Sequence, residues 1–185
     1  MKIVAIAGSP RVNGNTSYLM DEALEEASRF GIKTEKIVVT QFQINPCQGH
    51  DECQTFSSCL QQDDAELVLQ KLYEADGIIL ASPVYYFNVT AQLKALIDRS
   101  RFYRRHKKRM KARCAGIIVV AAGGGIEDTT NALVNFIRLS SNVPAEKVIQ
   151  VHGLAGIEGE IKGNNVVVEE ARRLGRNMSE ELSEG

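Results

Sequence analysis

Short runs of apolar, often β-branched residues alternate along the chain with longer stretches whose apolar positions recur every three or four residues. Residues 2–7 form the first such run, bounded by Gly8, and predict a strand buried on both faces. In 16–30, Leu19, Met20, Ala23, Leu24 and Ala27 repeat at helical spacing and the pattern stops at Gly31. The same reading predicts strands at 33–39, 77–81, 115–122 and 147–152, and helices at 63–73, 90–99, 128–139 and 166–182. Five buried strands separated by helices predict an α/β fold, a parallel five-stranded sheet doubly wound with helices on both faces. Ligands bind such sheets beyond the carboxyl ends of the strands, near the switch in strand order. The loops after the first, third and fourth strands are therefore the ones to search. With no internal repeat or linker, 1–185 reads as one domain carrying an irregular Cys-rich insertion at about 44–62.

Composition narrows the class. The chain has 185 residues, 44% hydrophobic and 24% charged, ordinary for a soluble globular protein and unlike a disordered, collagen-like or disulfide-scaffold chain. No apolar run reaches the ~18 residues of a membrane span, and the N-terminus enters its first strand without a charged-then-apolar leader. These features predict a cytosolic protein with no membrane partner. Twenty-two basic residues balance 23 acidic ones, which argues against a dedicated nucleic-acid binder. The balance is uneven, however. Residues 99–113 hold nine of the basic side chains and no acid, leaving 13 basic against 23 acidic groups, a formal −10, in the remainder. Such a run is either a solvated helix end and loop or a patch that steers an anion.

The loop after the first strand, Gly8-Ser9-Pro10-Arg11-Val12-Asn13-Gly14-Asn15-Thr16-Ser17, packs hydroxyls, amides, one Arg and two Gly against the start of a helix. Helix N-termini expose unpaired N–H groups and the positive end of the helix dipole, which together favour an anion. One cap, Asn15 or Thr16, would satisfy an ordinary helix start; five or six such residues point to a phosphate site. The loop is neither a Walker loop nor a GxGxxG dinucleotide fingerprint. After the third strand, Ser82-Pro83-Val84-Tyr85-Tyr86-Phe87-Asn88 offers an aromatic wall and free backbone groups, suited to a planar ring or, alternatively, to a core or a subunit contact. Gly123, Gly124 and Gly125 follow the fourth strand and permit close backbone approach or simply a turn.

The G-S-P-R-x-x-G-N-T-S loop, the S-P-x-Y…L-K-x-x-x-D-R stretch from Ser82 to Arg99 and the Gly triplet together resemble the NADPH-dependent FMN reductase-like flavoproteins, particularly their iron–sulfur flavoprotein branch. The resemblance covers roughly residues 1–174. It implies a flavodoxin-like fold and FMN as cofactor. Ser9, Arg11, Asn15, Thr16 and Ser17 would then hold the phosphate. Pro83 to Asn88, namely Pro83, Val84, Tyr85, Tyr86, Phe87 and Asn88, would border the flavin ring with Gly123, Gly124 and Gly125. Ile126 stands where that family usually carries Gln. Relatives assemble as homodimers or homotetramers with the flavin at the interface, so Tyr85, Tyr86 and Phe87 would reach a neighbouring chain.

Three of the four cysteines crowd together as C-x2-H-x2-C-x5-C: Cys47, His50, Cys53 and Cys59. In a cytosolic chain this spacing points to metal or cluster ligands before disulfides. The iron–sulfur flavoproteins place a four-Cys motif here for a 4Fe-4S cluster, and this chain has His50 at the second position. A cluster with one imidazole ligand, a Cys3His zinc site and a loop that binds nothing all remain open. Cys114 reads as a buried core thiol. No Ser/His/Asp set and no paired carboxylates are present, and flavin chemistry requires neither because the cofactor carries the hydride. The combined expectation is an FMN-dependent oxidoreductase that takes electrons from NAD(P)H or a ferredoxin-type donor, with the 99–113 run as a docking surface for that donor. A non-enzymatic FMN electron carrier and a flavin-free phosphate-binding or zinc-stabilised module are the rivals.

Overall fold

A computed structural model describes residues 1–184. Its sheet is five-stranded, all parallel, in the order β2-β1-β3-β4-β5. The strands are β1 (Lys2–Ala7), β2 (Lys33–Val38), β3 (Gly77–Pro83), β4 (Cys114–Ala121) and β5 (Ile149–Leu154). Because successive side chains in a strand face opposite ways, each central strand feeds two cores. Val4, Ile6, Ile78, Leu80, Ile117 and Val119 pack on one face against α2 (Ala65–Glu74), α3 (Ala91–Arg99) and α5 (Ile126–Ser140). Ile3, Ala5, Ile79, Ala81, Ile118 and Val120 pack on the other against α1 (Asn15–Arg29) and α6 (Asn165–Ser183). This double burial explains why the strand runs are continuously apolar rather than alternating.

Helices α1 and α6 form the tightest helix pair. Leu19, Met20, Ala23 and Ala27 of α1 share one core cluster with Val168, Ala171, Leu174, Met178 and Leu182 of α6, all at helical spacing. At their crossing a Cβ on Gly175 would stand 2.1 Å from the Ala23 carbonyl oxygen, so only glycine allows this approach. Arg172 to Glu22 and Arg176 to Glu26, both at 2.8 Å, flank the seam.

The fifth strand and the basic run depart most from the sequence expectation. The fifth strand runs Ile149–Leu154 rather than 147–152, because Ala145–Lys147 forms a single 3-10 turn after Pro144. His152, expected at the end of the strand, lies within β5, with Nε2 3.0 Å from Thr130 Oγ1. The basic run was expected to be a helix end and loop; it contains a further short helix, α4 (Arg101–Arg105). Buried Phe102 and Tyr103 anchor it, with the Tyr103 ring centroid 4.1 Å from that of Tyr73. Charge alone hid those two aromatic anchors.

Candidate functional site

The carboxyl ends of the strands are fixed by a ladder that continues past them. Gly8 N donates to Ala81 O, Val84 N to Val120 O and Ala155 N to Ala121 O, each at 2.8 Å. Thr90 Oγ1 donates to Gly8 O at 2.6 Å and accepts from Leu93 N at 3.3 Å, tying the first loop to the start of α3. These bonds bring the loops after β1, β3, β4 and β5 around one cleft of about 200 Å³.

Ser9, Arg11, Asn15, Thr16, Pro83, Val84 and Tyr85 of the expected residues line that cleft. Ser9 and Thr16 are buried with their hydroxyls at the mouth of α1. The N-cap of α1 is Gly14, not Asn15 or Thr16, and no side chain caps it. By contrast, α3 and α6 are capped by Thr90 and Asn164. The first turn of α1 thus keeps its N–H groups for a ligand. The Arg11 guanidinium has no carboxylate partner among the described residues. Hydroxyls, uncapped N–H groups and an unpaired guanidinium form the donor set that a phosphate requires, so these residues fit the phosphate end of a flavin nucleotide.

Asn15 and Ser17 are placed differently. Asn15 Nδ2 donates to Ile157 O (2.7 Å) while its Oδ1 accepts from Ile161 N (3.3 Å), so the side chain straps the loop after β5 to α1. Glu160 reinforces this loop by accepting from Gly156 N (2.6 Å) and Ile157 N (3.1 Å), bonds that hold its carboxyl below the usual carboxylate range. Ser17 is buried under Lys36, whose Nζ donates to its Oγ at 2.6 Å and to Asp21 at 2.7 Å. Ala155 and Gly156 belong to the cleft and were missed. The rule that sites form at carboxyl ends applies equally to the fifth strand.

Tyr86, Phe87, Asn88 and the three glycines stand beside the cleft rather than in its lining. Tyr85 and Asn88 exchange both backbone hydrogen bonds, at 2.9 and 3.0 Å, across a two-residue hairpin turn. Its central residues, Tyr86 and Phe87, have φ of 48° and 58°, the primed turn geometry that normally selects Asn-Gly. Two aromatics held there are strained, and the turn presents Tyr86 fully and Phe87 largely to solvent. They are not core residues. Gly125, with φ 88°, lies under the turn, where a Cβ would meet Val84 Cγ1 at 2.8 Å and Phe87 Cα at 2.9 Å. Its absence of side chain lets the third and fourth loops touch.

The Cys-rich segment is gripped by α3 and α4. Arg99 and Asp63 form an enclosed ion pair at 2.5 Å, with side-chain exposures of 2% and 0%. Arg99 also donates to Asn45 O (3.1 Å), Gln61 O (3.4 Å) and Cys59 Sγ (3.4 Å), and Asp63 accepts from Asn45 N and Ala65 N. Arg105 Nη2 donates to Asp51 O at 2.7 Å, and His106 Nε2 lies 2.9 Å from Phe56 O. Arg109 bonds Ser141 O, Lys111 pairs with Glu74, and Arg113 donates to Leu182 O. Much of the basic run therefore holds the chain's own backbone, and Arg99 is no part of any surface.

Cys47, His50, Cys53 and Cys59 are not gathered. Cys53 is buried with its thiol donating to His50 O at 3.0 Å, Cys59 faces Arg99, and Cys47 lines a different cleft. Among the described residues no three His, Cys, Asp or Glu side chains converge on a common metal position. As placed, these residues do not fit a cluster. Cys114 is a core thiol, pushed up to about 12 by burial.

A parallel sheet in the order 2-1-3-4-5, with an uncapped, hydroxyl-rich α1 at its switch point, defines a flavodoxin-like nucleotide-binding protein. The model of one family, NADPH-dependent FMN reductase, matches residues 1–153, and the chain belongs to that family. It is thereby an FMN reductase-like oxidoreductase. An iron–sulfur flavoprotein of Methanocaldococcus jannaschii is 38% identical over 187 aligned positions, covering 97% of this chain and 96% of the relative. One from Methanosarcina thermophila is 32% identical, covering 94% and 93%. Among solved structures, an NAD(P)H:quinone oxidoreductase from Methanothermobacter marburgensis superposes with a TM-score of 0.76 at 16% identity, covering 96% and 98%. No helix among the described residues is long and apolar enough to cross a membrane.

Proposed function

We propose that the chain takes reducing equivalents from NAD(P)H, or from a ferredoxin-type donor, through FMN bound at this cleft and passes them to a second acceptor. The flavin supplies the chemistry, accepting a hydride and releasing electrons singly or in pairs. The protein's part is placement. Ser9, Thr16, Arg11 and the N–H groups of the first turn of α1 hold the phosphate, and Ser17 is aligned behind them by Lys36. Asn15 keeps the 155–161 loop against the cleft. Pro83, Val84 and Tyr85 border the ring with the Tyr86–Asn88 turn and Gly123–Gly125. The exposed turn also suits contact with a second copy in a homodimer or homotetramer. The single observation that carries this reading is the uncapped N-terminus of α1 opening onto Ser9, Arg11 and Thr16.

The test is a titration of flavin-free protein with FMN and with riboflavin, followed by steady-state oxidation of NADH and NADPH with free flavin, quinone or ferricyanide as acceptor. Riboflavin should bind at least 100-fold more weakly than FMN, because it lacks the anion the loop is built for. Equal affinities, or no binding of either, defeat the reading. Flavin binding without nicotinamide oxidation would instead mark an electron carrier. Iron, zinc and acid-labile sulfide measured on protein purified without oxygen decide whether Cys47, His50, Cys53 and Cys59 rearrange around an iron–sulfur cluster or zinc.

A further inference from the structure

A second cleft, about 540 Å³, lies between the Cys-rich segment and α5 and shares no residue with the flavin cleft. Its volume is in the range of small-molecule sites, ~300–1,000 Å³. Ile97 of α3 and Phe136 and Leu139 of α5 give it apolar lining; Leu139 remains 42% exposed. Arg101 and Arg104, one turn apart on α4, also line the cleft. These are the two arginines of the basic run that the chain leaves unused. Arg104's guanidinium has no hydrogen-bond or ion-pair partner among the described residues, and Arg101 reaches only Asp51, at 3.9 Å, which is itself 98% exposed. The one carboxylate in the lining, Asp98, is already paired with Lys94 at 2.7 Å.

Two forked cations beside apolar side chains recognise a planar anion on a flat apolar body.

We propose that this cleft binds an anionic organic molecule, a carboxylate or sulfonate on an aromatic framework, independently of flavin. Arg101 and Arg104 take the anion and Ile97, Phe136 and Leu139 take the ring. The probe is 8-anilinonaphthalene-1-sulfonate, titrated by fluorescence polarisation against protein with and without added FMN, with neutral N-phenyl-1-naphthylamine in parallel. One equivalent of the sulfonate should bind in both states, and the neutral analogue at least tenfold more weakly. Arg101→Glu/Arg104→Glu should weaken the sulfonate at least tenfold without changing flavin content or the thermal midpoint. Leu139→Asp, a surface change on α5, should weaken both probes. Probe binding that FMN displaces, or that survives both variants, overturns the assignment, as does no binding at all. Failure of the flavin reading would show as missing FMN uptake and leave the sulfonate titration intact.

Discussion

Arg99→Met would keep the aliphatic stem of the residue and remove its guanidinium. Asp63 would stay fully enclosed, with only the Asn45 and Ala65 N–H groups, at 2.9 and 3.1 Å, as donors. Removing one member of a buried pair costs about 3–5 kcal/mol, against a domain stability of about 5–15 kcal/mol. The Asn45 and Gln61 carbonyls lose a donor too, but both residues retain access to water. The assay is urea unfolding followed by far-ultraviolet circular dichroism at pH 7 and pH 4. Burial by itself raises the Asp63 carboxyl; the Arg99 hydrogen bond and the two N–H groups overcome it and hold the group below its ordinary value. In the native chain its ionised form therefore adds stability above the unfolded value of about 3.9 and loses it as pH falls through the lower folded value. Without Arg99 only the two N–H groups oppose burial, so the folded value rises relative to the native chain. The penalty is then full at pH 7 and relieved on acidification, so the gap between the two proteins should narrow from pH 7 to pH 4. A gap below about 1 kcal/mol at pH 7, or one that widens in acid, refutes the reasoning.

Replacing Tyr86-Phe87 by Asn-Gly removes two strained positive-φ residues, and urea midpoints should report about 1–3 kcal/mol of added stability, while FMN affinity falls. Gly125→Ala should lose about 2–4 kcal/mol, from the φ of 88° and the contacts with Val84 and Phe87, whereas Gly123→Ala, whose Cβ meets nothing, should stay within about 0.5 kcal/mol of wild type; equal losses would show that the two loops do not touch. Asn15→Ala cuts both bonds to the 155–161 loop, so limited proteolysis should cleave there faster and FMN should bind several-fold more weakly. Unchanged cleavage would mean that Glu160 alone holds the loop.

The sheet was legible from its three central strands, β1, β3 and β4, whose runs are apolar because both faces are buried; the edge strands β2 and β5 are partly exposed and carry polar residues, contrary to the expectation of five buried strands. That Ser9, Arg11, Asn15 and Thr16 share one cleft was legible too, because all four sit in the loop between the first strand and its helix, at the carboxyl edge of the sheet. What the sequence concealed was pairing across distance. Nothing near Asn15 marks it as a strap for residues 140 positions away, and nothing near Arg99 marks its guanidinium as enclosed with Asp63. The strained turn was concealed too, since Tyr86-Phe87 contradicts the local preference for the geometry it adopts. Likewise, cysteine spacing reports which thiols could meet, whereas the hydrogen bonds to His50 O and from Arg99 decide where Cys53 and Cys59 sit in this structure.

The Gly175 crossing has a bearing on how the protein comes into being. The residues proposed to hold the phosphate all lie in the first 17, yet the helix that carries them rests on α6, which ends at Ser183 and lies beyond the 153 residues that the family model spans. During synthesis α1 can settle on β1, β2, β3 and β4, but its flank toward α6 stays uncovered until that distant segment has left the ribosome. A chain halted at residue 153 would possess every residue proposed to hold the phosphate and still lack the α6 side chains that complete the cover over Leu19, Met20 and Ala23.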